Sequence, residues 1–278
     1  MLPITKILLP VDFSAFSLGA ARHAAVFAQK YRSEITCLHV VTAGDGDAGK
    51  GHADLLDTFL RSLVTNDGHE ILTKQVLLEG DPAVKIIEYA DSNNTDFIVM
   101  ATHGYGPFRR FILGSVTAKM LHDAACPVLT GAHLEDAPVS RPPSIHRILC
   151  AVDLRNESTT TLRWAGQLAA DFHAHLDVVH ALPSFPSGVW NVYSGPEWNS
   201  TIAGMARQEI GALQEAAGTH AGVHVEPGDA AEVVSRVAER VGADLLVIGR
   251  SSGDGAAGRL RTHSYSIIRQ SPCPVLSL

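Results

Sequence analysis

The chain states one pattern twice, and that duplication constrains its fold more than any other feature. Residues 7–12 read Ile-Leu-Leu-Pro-Val-Asp and residues 148–153 read Ile-Leu-Cys-Ala-Val-Asp, each an apolar run ending in a carboxylate. Ala-rich helical stretches follow at Ala20 to Tyr31 and Leu162 to Phe172. Next come Thr36 to Val41 and Asp177 to Ala181, both strand-like. Glu79-Gly80-Asp81-Pro82 then answers to Glu226-Pro227-Gly228-Asp229, and each is followed by a helix, Ala83 to Ser92 and Ala230 to Val241. Asp96 to Met100 matches Asp244 to Ile248, and Cys126-Pro127-Val128-Leu129 matches Cys273-Pro274-Val275-Leu276. Anchors that recur in one order along a chain are the mark of an internal repeat.

Each half alternates strand and helix, starting and ending on a strand. The strands are nearly unbroken apolar runs, not alternating ones. Such strands are buried on both faces, so each half is predicted to be an open α/β domain with a parallel sheet between two layers of helices. The 278 residues suit two such domains, expected at 1–135 and 145–278. Pro138, Pro142 and Pro143 stand among polar residues and mark 136–144 as the linker. Residues 183–198, with Trp190, Tyr193 and Trp198, read as an irregular insertion whose aromatics pack on the domain surface or cover a pocket.

Composition removes several classes of function. The net charge is −7 and no long Lys/Arg run occurs, so there is no electrostatic footprint for nucleic acid. Apolar runs such as Phe97 to Ala101 are far short of the roughly 20 residues that span a bilayer. Met1 to Val11 has no basic leader and meets Asp12 early, so it reads as a first strand and not a signal peptide. Cys37, Cys126, Cys150 and Cys273 show no CxxC spacing and lie in or beside apolar runs, which fits core thiols in a reducing cytoplasm.

Open α/β sheets bind ligands beyond the carboxyl ends of their strands. In the first half, strand 1 ends at Asp12 and strand 4 runs into Ala101-Thr102-His103-Gly104. Gly114-Ser115 follows and opens a helix through Val116. Glycine admits close backbone approach and positive φ, a helix start favours an anion, and a Ser there adds a hydroxyl donor. Asp12 can accept hydrogen bonds from ribose hydroxyls.

Ala101-x2-Gly104-x9-Gly114-Ser115 resembles the G-x2-G-x9-G-[S/T] motif of the ATP-binding universal stress proteins. Pro10-Val11-Asp12-Phe13-Ser14, Leu38-His39-Val40 and Cys126-Pro127-Val128-Leu129 resemble that family as well, and the likeness extends over both halves. The resemblance implies, in each half, a five-stranded parallel sheet of order 3-2-1-4-5 with helices on both faces, adenine nucleotide alpha-hydrolase-like. It implies adenine near Pro10 and Val40, with Val11 beside them, and ribose near Asp12 and the end of strand 4 at Met100 and Ala101. Phosphates would lie on Gly104, Gly114, Ser115 and the helix start at Val116. Ala101 departs from the family's first glycine. His103, inside the phosphate loop, would donate to phosphate or cap the loop backbone. The family also pairs its final strands across a two-fold axis, so the halves are expected to form an intrachain pseudo-dimer, with a homodimer of chains open.

The second half departs further. Gly249 keeps the first glycine, but Ser252 replaces the second and Arg261-Thr262 stands where Gly114-Ser115 does. An Arg in place of a phosphate-contacting glycine argues against the same mode, leaving that site empty or suited to another anion through Arg250, Arg259 and Arg261. Gly253 to Gly258 spells GxGxxG, but no acidic residue follows as a dinucleotide site needs. Gly44 to Gly51 lacks the Ser or Thr of a P-loop. Fourteen histidines, His173/His175 and His220/His224 among them, form no ligand cluster of metal spacing. No nucleophile motif emerges. The expected function is therefore a cytoplasmic stress-response protein that binds ATP, alone or with Mg2+, as a regulatory ligand in the first half. A ligand-free scaffold of the same fold and a slow ATPase are the alternatives. A regulatory protein partner is left unnamed by the sequence.

Overall fold

The computed structural model describes residues 2–42, 49–61, 71–102, 113–131, 143–155, 157–182, 196–250 and 262–278. The chain divides into two compact units, one centred on Met1–Ser144 and the other on Ile145–Gly253 and Arg261–Leu276. Among the described residues no helix is long and apolar enough to cross a membrane.

The first unit runs β1 (Lys6–Pro10), α1 (Ala15–Tyr31), β2 (Glu34–Val41), α2 (Gly49–Arg61), β3 (Thr73–Glu79), α3 (Pro82–Ser92), β4 (Phe97–Ala101), α4 (Ser115–Asp123) and β5 (Val128–Gly131). The strand order is β3-β2-β1-β4-β5. Pairing is parallel, with Leu9 beside Cys37, Leu8 beside Ile98 and Met100 beside Thr130. Leu8, Leu9, Ile35, Leu38, Ile98 and Val99 are all buried, as a sheet covered on both faces requires. Helix α1 presents Ala20, Ala21, Ala24 and Ala28 to the core. Those small side chains let the helix approach closely, and Phe27 stacks on Phe97 with ring centroids 4.9 Å apart. Strand β3 is different: its residues are mostly exposed, because it is an edge strand.

The second unit repeats the plan with β6 (Arg147–Ala151), α5 (Ser158–Phe172), β7 (His175–Leu182), α6 (Pro196–Ala217), β8 (Gly222–Pro227), α7 (Ala230–Val241), β9 (Leu245–Ile248), α8 (Thr262–Gln270) and β10 (Val275–Ser277). Its strand order is β8-β7-β6-β9-β10. The order expected for each half, 3-2-1-4-5, is thus present in both.

The duplication reaches individual hydrogen bonds. Asp96 Oδ2 accepts from the backbone N–H groups of Thr5 and Lys6 at 2.8 and 2.9 Å, tying the start of β4 to the start of β1. Asp244 Oδ2 accepts from His146 and Arg147 at 2.8 and 2.9 Å. Asp81 and Asp229 cap α3 and α7. The glycines before them, Gly80 and Gly228, have φ of 135° and 146°, torsions that exclude a side chain. The C-caps Arg32 and His173 both adopt the left-handed conformation.

Helices α1 and α5 begin earlier than Ala20 and Leu162, where the alanine-rich pattern becomes evident. Ser14 caps α1 by accepting from the N–H of Ser17, so the first turn is fixed by a hydroxyl and not by apolar periodicity.

Candidate functional site

In the first unit Pro10, Val11 and Asp12 lie at and just beyond the end of β1. Val40 is at the end of β2, and Met100 and Ala101 close β4. These three strands are neighbours in the sheet, so the six residues gather at one edge of it. Gly114, Ser115 and Val116 form the start of α4. His103 and Gly104 lie outside the described residues.

Asp12 organises the turn that follows β1. Its Oδ1 accepts from the backbone N–H and hydroxyl of Ser14, at 3.0 and 2.6 Å, and from the hydroxyl of Ser17. Its own N–H donates to Ser17 Oγ at 3.1 Å. Between Asp12 and Ser14 the chain reverses through Phe13, whose φ of 62° is unusual for a residue of that size. All the side-chain hydrogen bonds of Asp12 among the described residues fall on Oδ1, which leaves Oδ2 for a ligand hydroxyl. The Val11 carbonyl accepts from His39 Nδ1 at 2.8 Å. A carbonyl can only accept, so this bond fixes the proton on Nδ1. The Phe13 ring leans on the His39 ring, with centroids 4.6 Å apart.

The end of β4 and the start of α4 are fastened together. Gly114 N–H donates to the Thr102 carbonyl at 2.9 Å, and Thr117 Oγ1 donates to the Ala101 carbonyl at 2.9 Å. No side chain caps α4, and the N–H groups of Ser115, Val116 and Thr117 meet no acceptor among the described residues. Gly114 itself has φ −59° and ψ 145°, so its torsions do not demand glycine, and its N–H is already engaged. Ala101 is not among the residues of positive φ, so its methyl carries no torsional cost.

The second unit rebuilds much of this geometry. Asp153 Oδ1 accepts from the Arg155 N–H at 3.2 Å and from the Ser158 hydroxyl at 3.0 Å. Leu154, between them, has φ 59°. His180 Nδ1 donates to the Val152 carbonyl at 2.8 Å, across the same 28-residue separation as His39 and Val11. Here the described residues enclose a cleft of about 650 Å³, with Val152, Asp153, His180, Asp229, Gly249 and Arg250 in its wall. Arg250 is only 8% exposed. A Cβ on Gly249 would come within 2.8 Å of Thr161 Oγ1. Helix α8 begins at Thr262, as α4 begins at Ser115, so the alignment of Arg261-Thr262 with Gly114-Ser115 holds at the level of elements. Ser252, Arg259 and Arg261 lie outside the described residues.

The roles of Ser17, Ser158 and Thr161 are not evident from sequence motifs. The signal was present: a Ser five positions after each strand-ending Asp, at the head of each first helix. Among the described residues no group of three His, Cys, Asp or Glu side chains is placed to hold a metal ion. His224 instead bonds Asp177 at 3.1 Å and lies 3.4 Å from Arg240.

Comparison with known proteins gives a consistent picture. The model of the universal stress protein family matches residues 3–130 and again 144–278. A universal stress protein of Methanocaldococcus jannaschii is 34% identical over 139 residues, 45% of this chain and 79% of that protein. One from Synechocystis is 31% identical over 132 residues, 44% of this chain and 82% of the relative. Among solved structures, a universal stress protein from Archaeoglobus fulgidus superposes with a TM-score of 0.73 at 23% identity, covering 99% of this chain and 98% of its own.

Proposed function

We propose that this chain, which belongs to the universal stress protein family over both of its halves, holds an adenine nucleotide in its first unit as a regulatory ligand. The observation that carries the reading is the pairing of two unsatisfied features, one just beyond β1 and one at the start of the helix that follows its neighbour β4. Asp12 keeps Oδ2 beyond the end of β1, and the N–H groups of Ser115 and Val116 stand at the uncapped start of α4. The first suits ribose hydroxyls. The second suits phosphate, because aligned peptide dipoles and unpaired donors favour an anion at a helix N-terminus. Buried Val11, Val40 and Met100 offer the apolar surface against which a base would lie.

ATP is the nucleotide we favour, since the spacing of Gly104, Gly114 and Ser115 resembles that of the ATP-binding members. Bound ATP would act by differential affinity for two states of the protein or of a complex with a protein partner. The test is calorimetric titration of the full chain with ATP. Gly114→Val adds a branched side chain beside the helix start at torsions that any residue adopts, and Ser115→Tyr crowds the same donors. Either variant is expected to remain folded and to weaken ATP at least tenfold. Unchanged affinity in both, with folding intact, would place the nucleotide elsewhere.

A further inference from the structure

We propose that the cleft of the second unit is a separate binding site for a small hydroxylated amine, a ligand of the amino-sugar class. This goes beyond the nucleotide reading and does not depend on it. The cleft, about 650 Å³, lies within the usual range for small-molecule sites, about 300–1,000 Å³. Its apolar walls include Val179, Val234, Ile248 and Ile267.

Three polar side chains of the wall keep hydrogen-bonding capacity that the described residues leave unspent. The first is Ser264. It is only 7% exposed, and its hydroxyl has no partner among the described residues. Its counterpart in the first unit is Thr117, the third residue of α4 as Ser264 is of α8, and Thr117 Oγ1 is spent on the Ala101 carbonyl at 2.9 Å. A buried hydroxyl left unpaired is costly, and a ligand in the cleft would relieve that cost. The second is His180. Its Nδ1 proton is committed to the Val152 carbonyl at 2.8 Å, so Nε2 is an acceptor, and no described donor reaches it. In the first unit the Phe13 ring leans on the matching His39, whereas Leu154 stands at the place of Phe13 here. The third is Asp229, which spends Oδ1 on the N–H groups of Ala231 and Glu232, at 2.9 and 3.3 Å. Its Oδ2 has no partner among the described residues.

These atoms select a ligand rich in donors. His180 Nε2 and Asp229 Oδ2 can only accept, and the Ser264 hydroxyl can do either. They stand near the end of β7, just before α7 and in the first turn of α8, so the ligand must present donors at several points, as a polyol frame does. Charge then favours an amine. Among the described lining residues Asp153, Glu157 and Asp229 outnumber Arg155 and Arg250, and Arg155 lies 3.7 Å from Asp153. Arg250 is buried and already engaged within the protein. An ammonium beside Asp229 gains a charge-assisted hydrogen bond, whereas an anion there meets like charge.

The experiment titrates the full chain with glucosamine, and with glucose and gluconate as its neutral and anionic counterparts, with and without saturating ATP. One equivalent of glucosamine per chain is expected to bind whether or not ATP is present. It is expected to bind about tenfold or more tighter than glucose, the loss that one charge-assisted hydrogen bond implies, and gluconate is expected not to bind. Methyl resonances of Ile248 and Ile267 are expected to shift on addition of glucosamine. Asp229→Asn keeps an oxygen for the N–H groups of Ala231 and Glu232 but loses the charge, and Ser264→Ala removes a hydroxyl that has no partner among the described residues. Both variants are expected to remain folded and to weaken glucosamine roughly fivefold or more. Absence of glucosamine binding, equal affinity for glucose or gluconate, displacement by ATP, unshifted methyls, or undiminished affinity in either folded variant would each overturn the proposal. Failure of ATP to bind the first unit would leave it standing.

Discussion

Left-handed backbone at Phe13 and Leu154 costs on the order of 1–3 kcal/mol each, since neither is glycine. Each reversal lets the next residues return to the strand-ending Asp: Ser14 and Ser17 to Asp12, Arg155 and Ser158 to Asp153. Hydrogen bonds to a charged acceptor contribute about 1.5–3 kcal/mol each, enough to offset the strain. None of this is visible in hydropathy, because the torsion is chosen by the bonds that follow it. The cysteines were more legible. Burial pushes the thiols of Cys37 and Cys150 up to about 12 and that of Cys273 up to about 11. The thiolate is the reactive form, so these groups should be inert in the native protein. Cys126 is only half-buried. Iodoacetamide at pH 8 is therefore expected to label Cys126 first and the other three only after unfolding, as followed by peptide mass spectrometry. Native labelling of Cys37 or Cys150 at a comparable rate would contradict the packing described above.

At the scale of elements, the two halves solve one contact in opposite ways. In the second unit the helix residue Thr161 is accommodated by Gly249 at the end of β9, where an added Cβ would sit 2.8 Å from its hydroxyl. In the first unit the corresponding helix residue is Ala20, three positions after Ser17 as Thr161 is after Ser158, and the strand residue is Ala101. The alanine that breaks the glycine motif is thus matched by a smaller residue on the helix. Gly249→Ala is expected to destabilise the protein by about 1–3 kcal/mol through overpacking. Thr161→Ala in the same chain is expected to recover most of that loss, giving a clear coupling energy in a double-mutant cycle read by denaturant unfolding. Additive effects would refute the contact. Sequence patterns located the central strands because both faces of β1, β4, β6 and β9 are covered. They said little about β3, whose residues are mostly exposed at an edge, where the apolar signal is weak.

For the whole molecule, the fold was legible because a repeat supplies two readings of every element. The site was less so. Its strand-end residues could be named from sequence in both halves, but the packing that shapes the cleft of the second unit could not. Gly249 and Arg250 were legible there as positions, but the Gly249–Thr161 fit and the burial of Arg250, which shape the cleft, are encoded by no short motif. The sequence differences between halves lead us to expect one ATP per chain, in the first unit. Calorimetric stoichiometry checks this, and a value of two would mean that the second cleft also accommodates a triphosphate. The bonds of His39 to Val11 and of His180 to Val152 are made entirely within the protein. They need no visitor to form. A cradle latched by its own side chains keeps its shape between encounters, so mutation can revise the cargo of one half without rebuilding the frame. Duplication then becomes a licence for divergence: two receptacles of shared geometry, each free to acquire its own chemical taste.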